Sequence, residues 1–350
     1  MHLVGTACHW APRELFYAGG LFAWRMTGTW KPGTPHALVY NPSNTCGFCR
    51  HTLESCLDNS FGFLEGAVIS NKCDDHRRLF DNLNHLKVFP FVFFMHTPWN
   101  NTPTNIKRFS ATITELRALL ESRFHVKITD DSIRQSSQLY NRMRALVKQV
   151  YELRKKDMPP LSGAEYLALT TASWVMRPEE YIQELETLMP YLQTRQAPVT
   201  HKRPRVLVTS DHLDDPSYIG LVESARCVVA MDDLETGLGQ FWSSIALDLP
   251  PVEALATTYL NTWPSTQSFR WLDQHRERII SWVREWRIDA VINFPQIYCQ
   301  PRSFTDLPLH EKLEENGIPC ATFYREYRAE HFGQLKTRVS AFLETLKIPA

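Results

Sequence analysis

The stretch that most constrains the fold is Gly66 to Leu83, GAVISNKCDDHRRLFDNL. Ala67-Val68-Ile69 is an apolar, largely β-branched run of the kind a buried strand uses, and it stops at Ser70-Asn71-Lys72-Cys73. A polar, amphipathic segment with helical spacing follows at once. The chain therefore passes from a buried strand to a helix, with Cys73 at the handover. In open α/β sheets ligands bind in the crevice at the carboxyl ends of strands, so a cysteine placed there stands where chemistry usually occurs.

The same construction recurs twice. Asp289-Ala-Val-Ile-Asn-Phe reads as a strand that delivers Cys299 through Pro295-Gln-Ile-Tyr, and Leu38-Val39-Tyr40 reads as one leading into Asn44-Thr45-Cys46-Gly47-Phe48-Cys49. Three strand ends are thus expected to present a thiol. Eight cysteines in 350 residues are too sparse for a disulfide scaffold, and in a reducing compartment thiols at strand ends read as ligands or nucleophiles. Four of the eight lie from Cys46 to Cys73.

Lys plus Arg and Asp plus Glu balance at 38 each, leaving no basic field for nucleic acid. No run approaches 18 apolar residues, and MHLVGTACHWAPREL carries neither a basic leader nor a long apolar core, so a soluble, cytoplasmic protein without a membrane partner is expected.

Along the chain, Pro12 starts a short helix carrying Leu15, Phe16, Leu21 and Phe22, which Gly19-Gly20 interrupts or ends. A helix over His51 to Leu57, the Ala67 strand and a strand at Val88 to Phe94 follow. Residues 106–156 read as helices, the second capped by Thr129-Asp130-Asp131-Ser132, and two more span about 164–175 and 178–192. After a polar connector, Gln193 to Lys202, the strands resume at Arg205, Cys227, Asp289 and Pro319, with helices near Leu221, from Trp271 to Trp286 and from Phe332 to Leu346. The pattern predicts an α/β protein of two Rossmann-like parallel-sheet domains with a helical insert: residues 1–105 with Cys46 and Cys73, 106–202, and 203–350 with Cys299.

Three separated thiols at strand ends are compatible with an iron-sulfur cluster, a zinc ion or no ligand. The single Cys46-x-x-Cys49 pair has no second close pair, which argues against a local zinc ribbon. Cys56, Cys227 and Cys320 read as small hydrophobes, and Cys8 is uninformative. Asp74, Asp75, Arg77 and Arg78 suit helix capping and surface pairing. Asp232, Asp233 and Glu235 either face the cleft or cap a helix. His51, His76 and His96 fall near strand ends, where a surface or capping role is the usual one. Gly237-Leu-Gly239 lacks the third glycine of a dinucleotide loop, so no nucleotide site is expected in this chain.

The Asn-Thr-Cys46-Gly-Phe-Cys49-Arg loop, the Cys73-Asp74-Asp75-His-Arg-Arg strand end, Tyr298-Cys299 and the closing Gly333-Gln334-Leu-Lys-Thr337-Arg338-Val-Ser-Ala341-Phe342 together resemble the 2-hydroxyacyl-CoA dehydratase D-component family. That family also contains subunits of ATP-dependent benzoyl-CoA reductase and the double-cubane cluster proteins. Weaker matches, Pro12-Arg-Glu14-Leu, Tyr140-Asn141 with Arg144, Leu161-Ser-Gly163 and Asp232-Asp233, fall in the family's order, so the resemblance covers nearly the whole chain.

The resemblance implies that Cys46, Cys73 and Cys299 hold a [4Fe-4S] cluster through three irons and leave the fourth iron open, with Cys49 as a substitute for Cys46 or a neighbouring thiol. Many family members carry a cysteine after the Asp-Asp-Leu segment where this chain has Glu235, which favours one cluster over a double cubane. It further implies an acyl-CoA substrate, a homologous second subunit in a heterodimer, and an ATP-hydrolysing iron-sulfur activator that supplies one low-potential electron. In a dehydratase that electron makes a ketyl radical anion, which expels the 2-hydroxyl and returns the electron. In a benzoyl-CoA reductase two electrons stay in the ring, and in an electron-relay subunit no acyl-CoA binds.

Overall fold

A computed structural model describes residues 1–31, 33–199, 201–261, 272–328 and 332–346. In chain order the elements are β1 (His2–Thr6), α1 (Arg13–Ala18), β2 (Leu21–Arg25), α2 (Gly47–Leu57), β3 (Ala67–Ser70), α3 (Asp74–His85), β4 (Val92–Met95), α4 (Pro103–Phe124), α5 (Asp130–Glu152), α6 (Gly163–Ala172), α7 (Pro178–Thr194) and β5 (Arg205–Thr209). They continue with α8 (Pro216–Ser224), β6 (Val228–Asp233), α9 (Pro251–Asn261), α10 (Leu272–Glu285), β7 (Ala290–Asn293), α11 (Gln300–Glu315), β8 (Cys320–Thr322) and α12 (Phe332–Glu344). Two compact units result: Met1–Arg144, Trp174–Glu179 and Ser243–Thr262 form the first, and Ala145–Ser173, Glu180–Trp242 and Trp263–Ala350 the second.

Each unit holds a four-stranded, all-parallel sheet, in the order β2-β1-β3-β4 in the first and β6-β5-β7-β8 in the second. This is the two-sheet α/β architecture read from the strand-helix alternation. The central strands are apolar without alternation because both faces are covered: β3 is AVIS and β7 is AVIN, and every residue of both is buried. In each sheet the chain first adds a strand on one side of the opening strand and then crosses to the other. The switch point lies between β1 and β3 in the first unit and between β5 and β7 in the second.

Several elements differ from the sequence reading. Leu38-Val39-Tyr40 is not a strand: Ala37–Val39 is a single 3-10 turn, and Leu38, Val39 and Tyr40 are exposed. Three apolar residues without a covering layer have nothing to bury against, so the run makes no sheet contact. Leu21 and Phe22 belong to β2, not to the first helix, which stops at Ala18. Gly20, at a φ of 70°, takes the left-handed conformation that turns the chain back alongside β1. The opening strand β1 was hidden in a five-residue run, and β4 begins only at Val92, after Lys87 takes a φ of 50°. Trp271, the expected start of α10, lies outside the described residues.

Candidate functional site

At the switch point of the first unit, β3 ends at Ser70 and the chain reaches Cys73, which caps α3 in an extended conformation. The helix starts there because Asp74 and Asp75 complement the positive end of its dipole, and because His76, Leu79 and Leu83 form one buried stripe. The intervening loop is pinned by Asn71, whose N–H donates to the Met95 carbonyl at 3.2 Å and whose Oδ1 accepts from the Thr97 N–H at 2.7 Å. Cys8, just past β1, donates its thiol to Ser70 Oγ at 2.8 Å and closes the other wall.

Cys46 occupies the same position on α2 as Cys73 does on α3, the residue immediately before the first turn. Both thiols therefore stand at the partially positive end of a helix. Cys49 lies one turn into α2, is fully buried, and hydrogen-bonds the Cys46 side chain. Buried Cys46 and Cys49 and half-buried Cys73 are thus neighbours in one cluster, joined by Asp75, whose Oδ1 accepts from the Cys46 N–H at 3.4 Å.

Burial pushes the Cys73 thiol up to about 12, with Cys46 and Asp75 adding to the effect, while the His76 N–H and Lys72 oppose it. Cys49 is pushed well above its ordinary value, first by burial and then by Cys46, Cys73 and Asp75. Crowding thiols beside a carboxylate in a buried place is unfavourable for thiolates unless a cationic centre replaces their protons. Sulfur donors of this kind are the ones thiophilic metals take. Among the described residues no three His, Cys, Asp or Glu side chains converge on one metal ion. A cubane differs from a single ion, since each thiolate meets its own iron.

Cys299 belongs to the second unit and holds the position there that Cys73 holds in the first, capping the helix that follows the third strand. It is buried, and Tyr298 before it takes a φ of 64°, an uncommon conformation for a residue with a side chain. Of the sequence candidates, the first unit brings together Cys46, Cys49 and Cys73. Cys56 and Cys227 are buried as small hydrophobes, as expected.

Other residues differ from their expected roles. His76 is buried and stacks on Phe48 with centroids 5.8 Å apart, and His51 is buried on α2, so neither is a surface histidine. Asp232 and Asp233 end a strand. Asp232 pairs with Arg154 and accepts from Tyr151 Oη at 2.8 Å, while Asp233 accepts from Thr209 Oγ1 at 2.6 Å and lies 2.7 Å from His275 Nε2. Gly237 is obligatory because a Cβ there would overlap Asp232 Oδ1. Asp211, which the sequence places in a polar turn, is fully buried, bonded to Arg325 at 2.8 Å and to the Gln296 N–H at 2.8 Å. Nothing in its local sequence distinguishes a buried carboxylate from a solvated turn, because its partner lies 114 residues away.

Two parallel sheets, each with a thiol beyond the strand at its switch point, define a two-sheet α/β protein. The chain belongs to the 2-hydroxyglutaryl-CoA dehydratase, D-component family, whose model matches residues 8–346. It is similar to the (R)-phenyllactyl-CoA dehydratase beta subunit of Clostridium sporogenes, with 24% identity covering 98% of this chain and 91% of that one. A benzoyl-CoA reductase subunit of Thauera aromatica is likewise 24% identical over 97% of this chain and 89% of that one. The (R)-2-hydroxyglutaryl-CoA dehydratase subunit beta of Acidaminococcus fermentans is 22% identical over 98% and 92%. Glu14 and Arg144, remote in sequence, form a buried ion pair, with Tyr259 Oη donating to Glu14 at 2.8 Å.

Proposed function

We infer that this chain is the iron-sulfur subunit of an ATP-activated 2-hydroxyacyl-CoA dehydratase. The observation that carries the reading is the cluster of buried Cys46 and Cys49 with half-buried Cys73 at the N-termini of two helices beside the switch point of the first sheet. Cys46 and Cys73, with Cys299 from the second unit, would hold a [4Fe-4S] cluster, and Cys49 would stand beside Cys46 or replace it. When bound, such a cluster supplies low-potential electron transfer and an open iron site. The chain's own residues orient the thiols through the helix N-termini, donate the His76 N–H to Cys73, and exclude water by burying Cys46 and Cys49. Several relatives are named as subunits, which supports a heterodimer with a homologous chain.

A second reading, the substrate-binding subunit of a benzoyl-CoA reductase, has the support of the Thauera relative at equal identity. The test is an anaerobic assay of the chain co-purified with its partner, activator, ATP and reductant. Dehydration of 2-hydroxyacyl-CoA thioesters is the expected result. Turnover of benzoyl-CoA alone would overturn the dehydratase reading in favour of the reductase. Absence of acyl-CoA binding by this chain in the intact complex would leave an electron-relay subunit.

A further inference from the structure

A second thiol of the chain sits outside the strand-end crevices with the groups of a nucleophile around it. Cys320 opens β8, the edge strand of the second sheet, at the end opposite the carboxyl edge. It is only half-buried. Its Sγ lies 3.1 Å from His310 Nδ1, and the far ring nitrogen of His310, Nε2, lies 3.2 Å from Glu314 Oε1. His310 and Glu314 are one turn apart on α11, so a single helix face presents base and carboxylate together. The thiol's other acceptor is the His310 carbonyl, at a longer 3.9 Å.

The order of the groups fixes their roles. A carboxylate on Nε2 holds the proton there and leaves the Nδ1 lone pair to receive the S–H. Thiol, imidazole and carboxylate then form a line of nucleophile, base and orienting group. The line is not a metal site, because Cys320 and Glu314 lie against opposite nitrogens of one ring and cannot converge on one ion. Burial and then Glu314 push the Cys320 thiol up to about 11, so a standing thiolate is disfavoured and attack depends on a base that removes the proton during the reaction.

We propose that Cys320 is a modification site for low-molecular-weight disulfides, with His310 as its base and Glu314 as the residue that positions His310. Sγ attacks one sulfur of the disulfide while its proton passes to His310 Nδ1. The S–S bond of the reagent breaks and a mixed disulfide forms on Cys320. The departing thiolate takes the proton from His310 and leaves as a thiol, so Cys320 is oxidised as the leaving sulfur is reduced.

The experiment treats the full chain, purified anaerobically with its partner subunit, with oxidised glutathione and follows the adduct on the Cys320 peptide by mass spectrometry. The native protein should acquire the adduct, and C320S should lose it. His310→Gln keeps a hydrogen-bond acceptor but no basic nitrogen, and should slow the reaction by about tenfold or more. An equal rate in His310→Gln would overturn the role of the base. Labelling of the wild type in urea but not in the native state would overturn the site itself, and does not depend on any variant folding.

Discussion

At the carboxyl edge of the first sheet thiols meet one another, a hydroxyl and a carboxylate: Cys8 with Ser70, and Cys46 with Cys49, Cys73 and Asp75. At the same edge of the second sheet they are carboxylates, amides and cations. Thr209, Asp233 and Asn293 end β5, β6 and β7, and His275 and Arg302 reach them from α10 and α11. The strand order is the same in both. One topology thus carries two kinds of polar edge. The second pairs its charged groups within the protein, by ion pairs and hydrogen bonds, whereas the first buries thiols, of which Cys49 and Cys73 are held protonated by burial. Neutral thiols and charged groups that partner one another are two ways of burying polar groups at a switch point.

The comparison breaks most visibly at Arg325. Arg325→Met keeps the bulk but strips the fully buried Asp211 carboxylate of its cation and leaves it the Gln296 N–H. Urea denaturation should report a loss of about 3–5 kcal/mol. Asp233→Asn is next, with an expected loss of about 2 kcal/mol at neutral pH for a charge-assisted hydrogen bond. Burial alone would raise the Asp233 carboxyl, but His275, aided by Thr209, outweighs it and holds the group below the usual carboxylate range. Its contribution is therefore present above the unfolded-state value and disappears as pH falls through the folded one. Wild type and Asp233→Asn should converge in stability at the acid end of a pH series.

Thr209→Val removes one donor to the same carboxylate and should cost about 1 kcal/mol by the same measurement. The smallest effect belongs to the first unit. Arg78 pairs with Asp81 at 3.0 Å and with Asp74 at 3.7 Å on the exposed face of α3. Arg78→Ala should change stability by no more than about 0.5 kcal/mol. It should also leave the iron content unaltered, which separates the surface pair from the thiols beside it.

At the first edge only Cys73 stands at a helix start that its local sequence announces, a polar loop followed by an amphipathic run. Cys46 and Cys49 read as a loop before a helix at His51, and Cys8 gave no sign. The second edge was not legible at all, for a physical reason. Asp211 with Arg325 and Asp233 with His275 are joined across many intervening residues by strand order, which no local pattern encodes. The strand-helix alternation gave both sheets. It failed at Leu38-Val39-Tyr40, where β propensity had no partner surface, and at β1 and β2, where five-residue strands are too short to show a period.

The central claim concerns what the thiols hold, and iron with acid-labile sulfide per chain tests it most directly. The protein should be purified anaerobically with its partner subunit, as wild type and as Cys73→Ala, Cys299→Ala and Cys49→Ala. The account predicts about four iron and four sulfide in this chain. They should be lost in Cys73→Ala and Cys299→Ala and retained in Cys49→Ala. Folded, anaerobically prepared wild-type protein without iron would contradict it.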